Sequence, residues 1–283
     1  MKPFPALTLA AGLLTAVAAA VGALVIYSGA YNVSATTQHW QPVYTLLETT
    51  LHYSVKMRAR HIETPVLNNP QRIADGALLF NAKCAQCHGA PGVAPGDIGK
   101  SMQPLPGPLV NALQRWRPRE IYWLTRYGIK MSGMPAWEFR LSDAQMWDVV
   151  AFVQHMPGIT PQAYAQAIEG GPQVGKTAAL PSMALQAISR PADAVRGKQA
   201  MYQYACITCH TIPGVVSSSP NVGPPLAGLA RRTQLAGRLD NTPDNLVRWL
   251  RFPQAVKPLS AMPDLGVTES DARDMAAFLA TLH

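Results

Sequence analysis

The chain has 283 residues, of which 48% are hydrophobic and only 14% are charged, and its formal net charge is +8. Soluble domains usually contain roughly 25% charged residues. The positive charges are scattered and form no long run of lysine and arginine, so the sequence gives little support for nucleic-acid binding. A weakly positive surface that faces an acidic partner is compatible with this charge.

The chain begins with a long uncharged segment at residues 6–27. A helix of these 22 residues would be about 33 Å long, which matches the roughly 30 Å hydrocarbon core of a bilayer. Lys2 precedes the segment and predicts a cytoplasmic N-terminus, so we predict a transmembrane anchor within residues 1–30. The alanines at 18–20 leave a cleaved signal peptide as an alternative, although its apolar region is usually 7–15 residues long. Both interpretations export the rest of the chain.

Residues 31–69 predict an amphipathic helix after Pro42, because apolar side chains recur there at helical spacing. This segment is either a spacer helix packed on the following domain or a surface that docks a partner or the membrane. Its three histidines are more typical of exposed or packed side chains than of metal ligands. They are His39, His52 and His61.

The remainder of the chain consists of two similar units, residues 70–160 and residues 190–283. Residues 161–189 are rich in Ala, Gly, Pro and Gln and predict an irregular linker. Two pairs of segments recur 126 residues apart, which indicates an internal duplication. They are 121–124 with 247–250, and 142–153 with 268–279.

All four cysteines lie in two copies of one pattern, in which two cysteines are separated by two residues and followed by histidine. The six residues are Cys84, Cys87, His88, Cys206, Cys209 and His210. The pattern is typical of covalent haem c attachment, since two thiols on one turn reach one porphyrin and the histidine faces its iron. A redox dithiol would need a strand and helix around it, and a zinc site would need a fourth ligand in each copy.

A sixth iron ligand is predicted in each unit, because low-spin haem iron usually takes methionine or histidine opposite the first histidine. Met134 and Met262 both precede a proline in a loop just before the last helix of their unit. Met131 is the nearest competitor to Met134. Met156 and Met102 are weaker candidates, because one ends a helix and the other follows its histidine by only 14 residues.

These motifs together resemble the class I cytochrome c family over residues 70–160 and 190–283. The resemblance implies an all-α fold in each unit, with a helix into the cysteine motif, a middle helix, a methionine loop and a terminal helix. We therefore expect an all-α chain, in which an N-terminal transmembrane helix precedes two tandem class I cytochrome c domains. The expected cofactors are two covalently bound haem c groups, with His88, Met134, His210 and Met262 as iron ligands.

Further details follow from the same resemblance. Residues 223–226 are similar to the family's Gly-Pro-x-Leu loop, which implies that the carbonyl of Pro224 accepts a hydrogen bond from the haem histidine. The first unit has a looser counterpart at residues 107–109, and its acceptor stays open. Several residues near the second haem are candidates for propionate contacts, with a surface or core role as the alternative. They are Arg231, Arg232, Trp249 and Arg251, with Arg126 and Trp123 at the matching places of the first unit.

Residues 241–283 also resemble cytochrome c domains found in or beside haem–copper oxidases. The order of an anchor and two haem units is that of the dihaem subunit of cbb3-type oxidases, although no specific motif points to that subunit. Histidine and methionine together leave iron no open position for a substrate, which favours electron transfer over catalysis. The string at residues 170–177 formally matches a phosphate-binding loop but lacks the strand that such a loop follows, so we predict no nucleotide binding.

Three functions fit these patterns. The first is electron transfer on the periplasmic side of a bacterial inner membrane, as a subunit of or donor to a haem–copper terminal oxidase. The second is a cytochrome subunit that accepts electrons from a periplasmic dehydrogenase. The third is a dihaem enzyme such as a peroxidase, which would need an open iron position and is disfavoured by the two matched methionine loops.

Overall fold

The computed structural model describes residues 4–169, 191–217, 220 and 222–283. The chain divides into two units, Met1–Thr37 and Gln38–His283. The boundary between them falls within the segment predicted as a spacer.

The first unit contains one long helix, α1 (Phe4–Tyr27), of 24 residues. Its stretch Thr8–Tyr27 has a mean hydropathy of 2.4 and none of it is buried inside the protein. Within the described residues it is the one helix that is long and apolar enough to cross a membrane. Length and composition of this kind are also found in signal sequences.

The second unit is predominantly helical, as predicted. Its α-helices are α2 (Gln41–Ala59), α3 (Pro70–Lys83), α4 (Ala85–His88), α5 (Asp97–Lys100), α6 (Pro118–Tyr127), α7 (Asp143–His155), α8 (Pro161–Ala167), α9 (Ala194–Gln203), α10 (Pro243–Arg251), α11 (Pro253–Val256) and α12 (Glu269–Leu279). Short 3-10 helices lie at Leu109–Gln114, Met156–Gly158, Cys206–Thr208 and Leu229–Arg231. Two short strands, β1 (Gln234–Leu235) and β2 (Leu239–Asp240), pair antiparallel, with Leu235 opposite Leu239.

Domain 1, residues 70–167, is built on the crossing of α3 and α7. The two backbones meet at Gly76, where an added Cβ would lie 1.9 Å from the carbonyl oxygen of Asp148. The side chain of Asn69 caps α3, and Ser142 with Gln145 forms a capping box on α7. The predicted middle and terminal helices are confirmed as α6 and α7.

Domain 2, residues 191–283, repeats this crossing with α9 and α12. An added Cβ on Gly197 would lie 1.9 Å from the carbonyl oxygen of Asp274. Asp193 caps α9 and Thr268 caps α12. The predicted counterparts of α6 and α7 are confirmed as α10 and α12, and each domain has its own hydrophobic core.

The predicted linker begins with a helix rather than with irregular chain. Tyr164 of α8 is buried, its ring lies 5.9 Å from that of Phe152, and its hydroxyl bonds to Asn81 Oδ1 at 3.2 Å. These contacts tie α8 to domain 1, because a large buried ring contributes substantial packing energy. Residues 170–190, which include the string that resembles a phosphate loop, lie outside the described residues.

The predicted amphipathic helix after Pro42 is confirmed as α2, and it packs on domain 1. Val55 and Ala59 are fully buried on its inner face. Glu48 pairs with Arg115, and the His52 ring lies 5.0 Å from that of Trp116. These contacts fix α2 to domain 1.

Candidate functional site

In domain 1 the first attachment motif forms a single tight turn at the end of α3. The backbone amides of Cys87 and His88 both donate to the carbonyl of Cys84 at 3.0 Å. This turn places two thiols and an imidazole on one short piece of chain. His88 Nδ1 lies 2.7 Å from the carbonyl oxygen of Gly107 and donates to it, since a carbonyl oxygen can only accept. The bond leaves Nε2 without a proton, as a metal ligand requires.

Domain 2 has the same arrangement at its own motif. The amide of His210 donates to the carbonyl of Cys206 at 2.9 Å, and His210 Nδ1 donates to the carbonyl oxygen of Pro224 at 2.7 Å. An added Cβ on Gly223 would lie 2.4 Å from Cε1 of His210. Only a glycine therefore lets the backbone approach the face of this imidazole.

The carbonyl that accepts the hydrogen bond from His88 could not be assigned from the sequence, because the two histidine-binding loops are offset by one residue relative to their glycines. Matching the glycines of the two loops pairs Gly107 with Gly223. The hydrogen bonds instead pair Gly107 with Pro224, because both carbonyls precede the Pro-Leu dipeptide of their loop. The Pro-Leu dipeptide was thus the signal that could have identified Gly107.

Burial sets the protonation of these groups. It raises the pKa of the Cys84 thiol to about 12, with a smaller contribution from the neighbouring Cys87. It also raises the pKa of the Cys206 thiol to about 12, with a contribution from Cys209. Burial lowers the pKa of His88 and of His210, against the opposing effect of the bonds to their carbonyl partners. Both imidazoles are therefore neutral at pH 7, which is the form that binds iron.

The methionine loop of domain 1 is held by a serine. Ser132 Oγ donates to the carbonyl of Ile129 at 2.8 Å and accepts from the amide of Met134 at 3.1 Å. Met131, the competing ligand, has a left-handed backbone with a φ of 57° and a side chain that is 95% exposed. Met102 lies beside the loop, since an added Cβ on Gly133 would be 2.3 Å from its Sδ. Met134 is partly buried, whereas Met131 is exposed to solvent.

The methionine loop of domain 2 has the same serine and a further clamp. Ser260 Oγ accepts from the amide of Met262 at 3.1 Å. Nε2 of Gln254 donates to the carbonyls of Ser260, at 2.8 Å, and Met262, at 2.6 Å. Leu259 has a φ of 66° and corresponds to Met131 of domain 1. No sequence pattern pointed to Gln254, because its two hydrogen bonds depend on the path of the loop that it clamps.

Residues of both domains line one cavity of about 710 Å³. From domain 2 it includes the whole predicted haem set, and from domain 1 it includes His88 and the short 3-10 helix at Met156–Gly158. Met156 is buried at this end of α7, so it forms part of the wall between the domains. The lining residues with potential haem ligands are His88, Cys206, Cys209, His210 and Met262.

The candidate propionate contacts separate into two groups. Arg232 and Trp249 line the cavity. Arg251 pairs with Glu269 at 3.4 Å, and Arg126 pairs with Asp143 at 2.8 Å. Arg232 and Trp249 are therefore placed to contact a propionate in the cavity. Arg251 and Arg126 instead form ion pairs within the protein.

The donor set of each domain fits a haem c. Each has two free thiols and a neutral imidazole of fixed tautomer on one turn. Each also has a thioether on a loop that precedes the terminal helix. In domain 2 these groups surround a cavity, and Gly223 leaves room beside the imidazole. Thiol, imidazole and thioether are the donors that haem c attachment and ligation use.

Comparison with protein families agrees with this geometry. Residues 71–153 match the family model of the cbb3-type cytochrome c oxidase subunit III, and residues 194–283 match that of cytochrome c. The chain carries two cytochrome c domains. The expected oxidase resemblance concerns domain 2, whereas the matching oxidase family model covers domain 1. The match of residues 71–153 thus adds a sequence similarity to the predicted order of an anchor and two domains.

Two curated proteins are similar to parts of the chain. The cytochrome c oxidase subunit 2 of Alkalihalophilus pseudofirmus is 28% identical over 156 residues, which cover 46% of this chain and 45% of that protein. The cytochrome c oxidase subunit 2 of a Bacillus species is 34% identical over 70 residues, which cover 23% of this chain and 18% of that protein. The chain thus spans less than half the length of either relative. No solved structure matched the chain.

Proposed function

We propose that the chain is a membrane-anchored dihaem cytochrome c that transfers electrons on the periplasmic side of a bacterial inner membrane. The observation that carries this proposal is the duplicated site, in which each attachment histidine donates Nδ1–H to a backbone carbonyl at 2.7 Å. When bound, haem c supplies an iron that takes up and releases one electron. The repeated site supports one haem in each cytochrome c domain.

In this proposal the chain's own residues hold each haem in a fixed position. Cys84 and Cys87 would hold one haem through thioether bonds, and Cys206 and Cys209 would hold the other. Nε2 of each attachment histidine would bind the iron, and the carbonyl bond at Nδ1 fixes the orientation of the ring.

The thioethers of Met134 and Met262 would be the second protein ligands of the two irons. Their loops are pinned by Ser132 and Ser260 through bonds of 3.1 Å to the methionine amides. A thioether in this position raises the reduction potential and leaves iron no free coordination position for a substrate. Electron transfer is therefore favoured over peroxidase chemistry.

The partner we propose is a haem–copper oxidase, of which the chain is a subunit or to which it donates electrons. Two observations support this choice. The family model that matches domain 1 is that of an oxidase subunit, and both similar curated proteins are named as oxidase subunits. Helix α1 would hold the chain in the lipid bilayer, with the cytochrome c domains on the periplasmic side because Lys2 precedes the apolar run.

The ligands are tested on the purified full-length chain. We expect mass spectrometry to find two covalently attached haems, and we expect Cys84→Ala and Cys206→Ala each to remove one. Met134→Ala and Met262→Ala should each abolish the methionine charge-transfer band of one ferric haem and leave that of the other. A variant that keeps both bands would exclude the substituted methionine as ligand.

The partner is tested by purifying the tagged chain from its native membranes in mild detergent and identifying the proteins that accompany it. A stoichiometric haem–copper catalytic subunit is the expected result. A flavin, quinoprotein or molybdenum subunit would show instead that the chain accepts electrons from a dehydrogenase. Protease treatment of intact spheroplasts should digest both cytochrome c domains; their protection would contradict the periplasmic orientation.

A further inference from the structure

A side chain from the segment before α2 is paired with the backbone of domain 2. Nε2 of Gln38 donates to the carbonyl oxygen of Val216 at 3.2 Å, and the amide of Val216 donates to Gln38 Oε1 at 3.0 Å. The two residues are 178 positions apart in the chain. A primary amide that pairs with both polar groups of one residue reproduces the pairing of two antiparallel strands. Both residues are partly buried.

The two partners are adjacent in the chain to elements of different domains. Gln38 lies three residues before α2, whose inner face is held on domain 1 through Val55, Ala59 and the Glu48–Arg115 ion pair. Val216 lies in the loop that follows His210. The amide of the neighbouring Val215 donates to the carbonyl of Ile212 at 3.2 Å, and Ile212 is buried in the hydrophobic core of domain 2. The Gln38–Val216 pair therefore connects α2 of domain 1 to the histidine loop of domain 2.

A second contact joins the domains at the corresponding loop of domain 1. Leu105 packs against the hydrophobic core of domain 2. It lies two residues before Gly107, whose carbonyl accepts the bond from His88. Both contacts thus lie beside loops that orient an axial histidine, and both histidines line the same cavity.

Cytochrome c domains in one chain move relative to each other unless their interface prevents it. Electron transfer between two centres slows steeply as their separation grows, so such motion would make the transfer rate variable. We propose that Gln38 is a positioning residue that holds the two cytochrome c domains in one arrangement and so fixes the separation of their haems. The electron-transfer part rests on the proposed function, whereas the fixed arrangement of the domains does not.

The arrangement is tested by a distance measurement on the full-length chain in lipid nanodiscs. Spin labels are attached at Ile98→Cys in domain 1 and Val195→Cys in domain 2, because these side chains are 64% and 79% exposed. Pulsed electron paramagnetic resonance then gives the distribution of label distances, with both haems reduced so that low-spin iron is diamagnetic. We expect a narrow distribution in the otherwise unchanged chain and a broader one in Gln38→Ala.

Two further variants make the test specific. Gln41→Ala is the matched control, because the side chain of Gln41 bonds within α2, to Thr45 Oγ1 at 3.1 Å, and the distance distribution of this variant should stay narrow. Gln38→Glu keeps an acceptor for the Val216 amide but loses the donor to the Val216 carbonyl, so it should also broaden. An unchanged distribution in Gln38→Ala, or equal broadening in Gln41→Ala, would overturn the proposal.

The second readout is the rate at which an electron equilibrates between the haems after rapid reduction of one of them. We expect this rate to fall in Gln38→Ala and to stay the same in Gln41→Ala, with unchanged absorption spectra in both. A broadened distance distribution with an unchanged rate would overturn the role in electron transfer. If the chain binds only one haem, the proposed function fails, but the label distances still decide whether Gln38 holds the domains together.

Discussion

The two cytochrome c domains repeat the geometry around the predicted haem ligands, but different elements support it in each domain. In both domains two helices cross at a glycine, a backbone carbonyl orients the histidine, and a serine hydroxyl accepts a hydrogen bond from the methionine amide. Domain 1 adds α8 and the packed helix α2, whereas domain 2 adds the Gln254 clamp. The comparison shows that the duplication preserved contacts at the ligands and allowed their surroundings to diverge.

The helix into the attachment motif is one place where the domains diverge. Gly76 precedes Cys84 by eight residues, whereas Gly197 precedes Cys206 by nine. Domain 2 accommodates the additional residue at Ala205, which has a left-handed backbone with a φ of 58°. The helix crossing therefore lies one residue further from the first cysteine in domain 2 than in domain 1.

The largest expected effect tests the shared helix crossing. Gly76→Val and Gly197→Val should each reduce the free energy of unfolding by about 4 kcal/mol or more, because a Cβ would overlap a carbonyl oxygen and force the helices apart. Urea unfolding of the full-length chain, followed by haem absorbance, measures the loss. Where a variant does not accumulate, the yield of haem-containing protein is the measure.

The control for the crossing is Gly158→Ala, because an added Cβ there meets nothing within 4 Å. It should change the free energy of unfolding by no more than about 0.5 kcal/mol. If Gly76→Val or Gly197→Val were as stable as this control, that domain would not depend on the close approach of its two helices. The two domains would then differ in what their helix crossing requires.

The next largest effect concerns the ion pair beside each helix crossing, which differs between the two domains. Arg196 Nε donates at 3.0 Å to the carboxylate of Asp274, which is 1% exposed. Arg196→Ala should therefore reduce the free energy of unfolding by about 2 kcal/mol. In domain 1 the Arg72–Asp148 pair is 3.4 Å long and its carboxylate is more exposed than that of Asp274, so Arg72→Ala should reduce the free energy of unfolding by less than about 1 kcal/mol.

Urea titration of both variants beside Arg273→Ala checks this difference. Arg273 pairs with Glu269 on the surface of α12, and its loss should reduce the free energy of unfolding by about 0.5 kcal/mol or less. Equal losses for Arg196→Ala and Arg72→Ala would show that burial of Asp274 does not distinguish the two domains.

The third effect concerns the methionine loops. Gln254→Ala removes the donor to two carbonyls of the Met262 loop and should lower the stability of that loop by about 1 kcal/mol. The charge-transfer band of the domain 2 haem should disappear at a lower temperature, while that of domain 1 should not move. Gln203→Ala, an exposed position on α9, should leave both bands unchanged. A shift of both bands in Gln254→Ala would contradict a local clamp.

The smallest effect concerns the additional residue before Cys206. A left-handed backbone costs an alanine about 1–2 kcal/mol, and glycine avoids this cost but loses more freedom on folding. Ala205→Gly should therefore raise the free energy of unfolding by about 0.5 kcal/mol. Ala200→Gly, inside α9, should lower it instead, and calorimetry of both variants measures the difference. A loss in Ala205→Gly would mean that the left-handed residue causes no strain.

Local patterns predicted much of this fold. The α1 segment, the amphipathic α2 and the capped terminal helices α7 and α12 were predicted, because each depends on residues within a few turns of one another. The helical start of the linker was missed, since Tyr164 of α8 is held by Asn81, far away in the chain.

The candidate site likewise contains residues that local patterns predicted and residues that they did not. The cysteines and histidines were predicted from their fixed spacing, and the methionines were predicted from their place before a capped helix. Gly107, Gln254 and Gln38 were not identified, because each acts through a backbone group that only the folded chain brings near. The contacts of Gln254 and Gln38 follow no spacing that a sequence shows, whereas the Pro-Leu dipeptide after Gly107 was a signal for that acceptor.

The position of Leu105 has a consequence for studies of separate domains. If domain 1 were produced alone, Leu105 would lose its cover and face water, two residues from the carbonyl that polarises the His88 imidazole. The hydrogen bond to an axial histidine and the apolar shell around it both influence the reduction potential of the iron. We therefore expect the midpoint potential of a truncated domain 1 to differ from its value in the whole chain, so redox titrations have to use both domains together.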